Sequence, residues 1–246
     1  MINFLKIKLE NDKIFKSGCY PDMQSKVYSP EQCKHDKNFI SKKNFNMQDC
    51  FVKTDTISAI LQEFKLKADS KIIALNFANA MFPGGGYMLG GNAQEEALCR
   101  ASLLYYSIRT AKAYYQANRL HILPNYTDYM IYSENVPLIR DNTGNLLNNL
   151  ITCNFITCPA VNRNFAKFLF SNQKLDFIMQ NRINNIIKLA AMQNADILIL
   201  GAFGCGMFGN KRKSIYPMFE QAILNFVPEH VKIIFADPQA GKYLNH

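Results

Sequence analysis

Residues 83–96 read PGGGYMLGGNAQEE, with Gly84, Gly85 and Gly86 followed seven residues later by Gln94, Glu95 and Glu96. Without a Cβ, backbone can take positive φ angles and lie close to a ligand, and a helix N-terminus just beyond favours negative charge. Neighbouring residues on a helix diverge by about 100°, so Glu95 and Glu96 cannot oppose one another across a bond. An opposed glycosidase pair needs about 5 Å or more between its carboxyl groups. The two can instead enter one pocket in different directions, one orienting sugar hydroxyls and the other reaching the bond that breaks. A carboxyl group whose pKa is raised by burial or by a carboxylate neighbour can give a proton to a leaving atom. The same group can then draw a proton from attacking water. Acidic residues in a first helical turn also complement the helix dipole, which is a structural reason for the same residues.

A second glycine loop, GCGMFGN, follows the apolar run ADILILGAF. Gly204, Gly206 and Gly209 match GxGxxG, and Asp237 ends the next apolar run where a ribose-binding acid of a dinucleotide fold would stand. Only nine residues follow Asp237, so an NAD-dependent dehydrogenase would have to be a permuted one. Two glycine loops at the ends of neighbouring strands can also grip one ligand from opposite sides, and a diphosphate suits such backbone. Cys205 is a candidate nucleophile with no histidine placed to activate it, or a small residue fitted beside a ligand. Phe203 and Phe208 suit either core packing or, for Phe208, a sugar face.

These loops need elements to position them. The segment DTISAILQEFKLK has helical spacing with Asp55 or Thr56 as its cap, and KIIALNFANA is a buried strand. AQEEALCRASLLYYSIRTAKAYYQ predicts one unbroken helix of more than five turns, with Tyr105 and Tyr106 as packing residues. Residues 129–139 and 150–161 predict strands with the turn DNTGN between them. A helix over 175–192, the strand ADILILGAF, a helix through 216–226 and the strand VKIIFAD complete the chain. Residues 1–50 show no sustained period and read as loops and short elements. Helices alternating with apolar strands predict an α/β layered fold with a sheet covered on both faces.

With 246 residues, 48% of them apolar, the chain can bury the core of one large domain. The net charge of +9 suits an acidic partner, a nucleic acid or a phosphorylated ligand without choosing among them. Lys211, Arg212 and Lys213 form its densest basic cluster. The seven cysteines show no CxxC pair, and the four histidines are scattered. No metal motif is present, and the cysteines read as reduced, in an intracellular reducing compartment. Neither a signal peptide nor an apolar run of membrane-spanning length is found. Delivery into a host cell by a route without an N-terminal signal stays compatible with that reading.

PGGGYMLGGNAQEE resembles the GGG-x7-QEE signature of the poly(ADP-ribose) glycohydrolases, and NFANAMFPGGG with QEEALCRASLLY is similar to their microbial-type branch. TCPAVN at 157–162 is similar to that branch's strand-end segment, and GAFGCGMFGN to its diphosphate-binding loop. The resemblance runs over about residues 50–240 and leaves 1–50 as a poorly matched N-terminal extension of a single domain spanning 1–246. It implies a macrodomain-like α/β/α sandwich with a mixed central sheet and extra N-terminal elements. It also implies an ADP-ribosyl glycohydrolase that releases ADP-ribose from protein side chains or polymer ends by Glu-dependent hydrolysis, with no metal and no cofactor. Glu96 would be the acid at the ribosyl bond, and Glu95 with Asn79 would hold the ribose hydroxyls. Gly84, Gly85 and Gly86 would wrap the ribose and phosphates, with Gln94 beside them. Gly204, Cys205, Gly206, Met207 and Phe208 would carry the diphosphate, Phe208 on the ribose. The implied partners are ADP-ribosylated protein or poly(ADP-ribose), with no membrane and no direct nucleic-acid contact required. The alternative is a non-catalytic reader binding ADP-ribose through the same loops.

Overall fold

The computed structural model describes residues 4–34 and 45–240. Its centre is β3 (Ile72–Phe77), an apolar strand whose residues alternate between two cores. Ile73 and Leu75 face one core, and Ile72 and Ala74 face the other. The same alternation holds in β6 (Ile197–Leu200) and β7 (Lys232–Ala236). Strands buried on both faces read as continuous apolar runs, which is why these three were legible. β3 pairs in parallel with β6 on one side and with β5 (Leu146–Cys158) on the other, and β6 pairs in parallel with β7.

The sheet is seven-stranded, in the order β1-β4-β5-β3-β6-β7-β2, where β1 is Gln24–Tyr28, β2 Phe51–Val52 and β4 Met130–Arg140. β4 runs antiparallel to both β5 and β1, so the sheet is mixed. One face is covered by the short α6 (Arg163–Ala166), α7 (Asn172–Met192) and α8 (Arg212–Phe226), the other by α2 (Thr56–Leu66), α3 (Gln94–Ala101), α4 (Leu104–Ile108) and α5 (Lys112–His121). This is the expected macrodomain-like α/β/α sandwich. Asp55 caps α2 by accepting from Ser58 N, and Ser171 caps α7 by accepting from Lys174 N.

Two expectations are corrected. The helix expected to run unbroken from residue 93 is three helices, α3, α4 and α5. At the first break Ser102 takes extended backbone and forms a bridge with Leu138, while Leu103 N donates to Pro137 O. Ser102 Oγ donates to Leu98 O and accepts from Leu104 N. Bonds to the sheet thus outweigh local helix propensity, a context effect that a window of good helix formers does not show.

Residues 1–50, read as loops and short elements, carry a four-turn helix, α1 (Phe4–Ser17), and the edge strand β1. α1 is held by apolar and polar contacts together: Ile7 is buried and the Phe15 ring stacks on that of Tyr106 at 4.2 Å. Asn11 is fully buried, Arg140 donates to Glu10 at 2.6 Å, and the Tyr106 hydroxyl donates to Asp12 at 2.5 Å. The buried Asn11 interrupts the apolar face between Ile7 and Phe15, so the helical period is broken in the sequence where a polar residue does the packing. The stretch at 35–44 lies outside the described residues.

Candidate active site

The chain leaves β3 toward β5 on one side of the sheet and reaches β6 on the other, so a crevice opens at the carboxyl ends of β3 and β6, where open α/β sheets bind ligands. Both glycine loops meet there, around a cavity of about 820 Å³, within the usual range for small-molecule sites.

Of the residues expected to form the site, Asn79, Gly86, Gln94, Glu95, Glu96, Gly204, Gly206, Met207 and Phe208 line this cavity, while Gly84, Gly85 and Cys205 stand behind it. Glu95 is 2% exposed. Its Oε2 accepts from Asn79 N at 2.7 Å and its Oε1 from Asn76 Nδ2 at 3.3 Å. Burial pushes its pKa up to about 8, against the pull of the Asn79, Asn76 and Gly84 donors and with the neighbouring Glu96 charge adding to the rise. Glu96 differs: Oε1 accepts from Gly86 N at 2.8 Å, and Oε2 is buried with no partner in the protein.

The glycine loop is shaped to these carboxylates. Gly84 and Gly85 have φ of +69° and +54°, a region that side chains disfavour. A Cβ on Gly85 would stand 2.6 Å from Glu96 Oε1 and 3.1 Å from Glu95 Oε2. One on Gly84 would meet the Tyr105 ring and Cys99 Sγ. The triple glycine therefore lies against the protein's own catalytic candidates, and only Gly86 reaches the cavity wall.

Gln94 makes its bonds to the fold. Its Oε1 accepts from Phe77 N, and its Nε2 donates to Leu75 O and Thr56 Oγ1, so it ties the start of α3 to the end of β3. Asn79 folds back similarly, its Oδ1 accepting from Met81 N and Phe82 N.

The second loop is buttressed by the residues after β5. Asn164 Nδ2 donates to Met207 O, Asn164 N to Phe208 O, and Asn210 Nδ2 to Val161 O and Gly204 O. Met207 is 87% exposed, and the Phe208 ring rests 5.9 Å from that of Tyr126. Phe203 is wholly buried against Phe77 and Phe219, a core residue. Burial holds the Cys205 thiol at about 12, protonated at neutral pH, which suits a small residue behind the loop better than a nucleophile.

Several cavity residues had escaped notice as site residues. Asp55, read as a helix cap, also lines the wall; Asn92 does so beside Glu96, and Asn142 comes from the tip of the β4–β5 hairpin. Asn142 Nδ2 donates to Asp55 Oδ2 at 2.9 Å across a separation that only the bent hairpin closes. Arg212 turns inward from the basic cluster, while Lys211 and Lys213 stay exposed. Arg212 Nε donates to Asp237 Oδ2 at 2.6 Å, and the Tyr216 hydroxyl bonds the same oxygen. Burial acts to raise the Asp237 pKa, but Arg212, Tyr216 and Gln239 N together hold it below the ordinary carboxylate value.

The fold and its crevice match those of glycosidase-type hydrolases, and the comparisons place the chain in that class. The model of the microbial-type PARG catalytic domain matches residues 10–141, and the chain belongs to that family, the microbial-type poly(ADP-ribose) glycohydrolases. That match begins inside the stretch read as a poorly matched extension. The structure is similar to that of the Thermomonospora curvata poly(ADP-ribose) glycohydrolase bound to the inhibitor ADP-HPD, at 28% identity and a TM-score of 0.79, covering 89% of this chain and 83% of that one. It is also similar to the Deinococcus radiodurans poly(ADP-ribose) glycohydrolase in complex with ADP-ribose, at 30% identity and a TM-score of 0.73, covering 89% and 92%. No curated protein sequence matches the chain. The family assignment sets aside the dehydrogenase reading of GxGxxG, and among the described residues no helix is long and apolar enough to cross a membrane.

Proposed function

We propose that this chain acts as one domain that binds an ADP-ribosyl unit in the cavity and cleaves its ribosyl bond through Glu96. The observation that carries the reading is the asymmetry of the two glutamates. Both Glu95 oxygens accept bonds from the protein, whereas Glu96, a residue of the cavity wall, keeps a buried Oε2 with no partner in the protein. With Gly86 N donating to Oε1, a proton on Glu96 belongs on Oε2. As the bond from the ribose C1″ to the leaving atom breaks, the electron pair goes to that atom, which takes the Oε2 proton. Water then forms the new bond at C1″ and returns a proton to the Glu96 carboxylate, restoring the acid.

Glu95 is protonated at neutral pH and suited to hold ribose hydroxyls, with Asn79 beside it. The second loop, with Gly206 and Phe208 at the wall, is the diphosphate side. The substrates are ADP-ribosylated protein side chains or poly(ADP-ribose) ends, and ADP-ribose is the product. The match to solved glycohydrolases holding ADP-ribose or ADP-HPD supports this ligand class. Cys33, Cys99, Cys153 and Cys158 are buried as free thiols, which supports a reducing compartment as the working environment.

The test is Glu96→Gln, assayed on defined mono- and poly-ADP-ribosylated substrates with ADP-ribose affinity measured alongside. Turnover should fall by at least about 10³-fold while ADP-ribose binding persists, in line with loss of a positioned acid. Retained hydrolysis would remove Glu96 from the role.

A further inference from the structure

The N-terminal helix and Arg100 surround the segment that shapes Glu96. Arg100 lies one turn beyond Glu96 on α3 and is 8% exposed. Its guanidinium donates to Gly91 O through one nitrogen and to Asn92 Oδ1 at 2.8 Å through the other. The Phe4 ring of α1 covers it, 4.5 Å from ring centroid to Cζ, and the same ring packs on Gly90. Asn11 of α1 donates to Arg100 O at 3.0 Å and to the Tyr87 hydroxyl at 3.4 Å, so α1 grips the glycine segment at a second place.

What Arg100 holds is in direct contact with the glutamate. A Cβ on Gly91 would stand 3.0 Å from Glu96 Cγ and 3.1 Å from Gly86 Cα, and Gly91 N donates to Gly86 O at 2.9 Å. Gly86 N is the donor that fixes Glu96 Oε1. One chain of contacts therefore runs from Phe4 through Arg100, Gly91 and Gly86 to the carboxylate. The Glu96 charge also acts on Arg100 directly.

We propose that Arg100, seated under Phe4, is a positioning residue for Glu96, and that α1 is part of the catalytic assembly. Arginine suits the task because its planar fork can hold two oxygens while its face stacks on a ring, which a lysine ammonium cannot do. The proposal rests on the assignment of the acid to Glu96.

Arg100→Met and Arg100→Lys, assayed in the full chain well below their melting temperatures, should each lower kcat by about 10²-fold, the cost of a misplaced catalytic group. ADP-ribose Kd should stay within about threefold, since Arg100 itself does not line the cavity. If the Arg100 variants do not fold, Phe4→Leu carries the test, keeping an apolar contact but removing the ring face, with kcat reduced about three- to tenfold at unchanged Kd. Unchanged kcat in whichever folded variant is assayed, or a Kd that weakens in step with kcat, overturns the proposal. An inactive Glu96→Gln beside a fully active Arg100→Met would refute the positioning role alone, whereas an active Glu96→Gln would refute the acid assignment beneath it.

Discussion

The two glycine loops look alike in sequence and do different work. In the first, Gly84 and Gly85 face inward, and the space a side chain would take is filled by Glu95, Glu96, Tyr105 and Cys99. In the second, Gly204 and Gly209 are crowded by Ala160, Asn210 and Asn164, while a Cβ on Gly206 would meet nothing within 4 Å. The first loop is built to hold the two glutamates still, and the second is a buttressed arch with one glycine left open toward the cavity. A run of glycines is thus no guide to which atoms need the room.

The sharpest way to break this contrast is Gly85→Ala. The new methyl would enter the glutamate pair from a backbone at φ +54°, and activity should fall at least about 10²-fold from displaced carboxylates. Near-normal kcat in a folded Gly85→Ala protein would show that the loop does not set their positions.

The next effect reads Glu95 through pH. The Glu95 pKa is raised from 4.5 to about 8 in the folded chain, so between those values the native state keeps a proton that the unfolded state has released. Stability therefore falls as pH rises from about 4.5 to 8 and levels off above it. Glu95→Gln should remove that slope and raise stability at pH 8 by something on the order of a few kcal/mol, at a cost in activity. Chemical denaturation from pH 5 to 9 measures it, and an unchanged slope in the variant would assign the proton elsewhere. In the parent enzyme, kcat/KM should drop as pH climbs through about 8, because Glu95 then becomes a buried carboxylate in place of a neutral group.

The smallest effects lie in the second loop. Gly209→Ala, at φ +73° with Asn164 Oδ1 only 2.3 Å from the added carbon, should cost about 2 kcal/mol of stability. Gly206→Ala should change stability by less than about 0.5 kcal/mol yet weaken ADP-ribose binding severalfold. Equal binding by Gly206→Ala and the parent in calorimetry would mean that no ligand approaches that glycine.

Much of the frame was legible, for a definable reason. β3, β6 and β7 are buried on both faces and α7 has a capped apolar stripe, so local pattern and tertiary role agree. Where they disagreed, the reading slipped. Ser102 sits among good helix formers, and only the bridge to Leu138 ends the helix. α1 is anchored by Asn11, by the stack of Phe15 on Tyr106 and by the ion pair of Glu10 with the distant Arg140. Gln94 appears among the signature residues, yet its amide is committed to Leu75, Phe77 and Thr56.

By itself the sequence determined the chemistry available to this protein: two adjacent carboxylates at a helix start, a glycine segment before them, and a second glycine loop after a buried strand. Residue type and short spacing suffice for that, because a strand, a cap and a glycine turn are local events. That burial raises the Glu95 pKa, and that Glu96 Oε2 is left without a partner in the protein, was decided only by the tertiary structure. Burial and hydrogen bonds supplied by Asn76, Asn79 and Gly86 set those properties, and such contacts exist only once distant segments have packed around the same few ångströms.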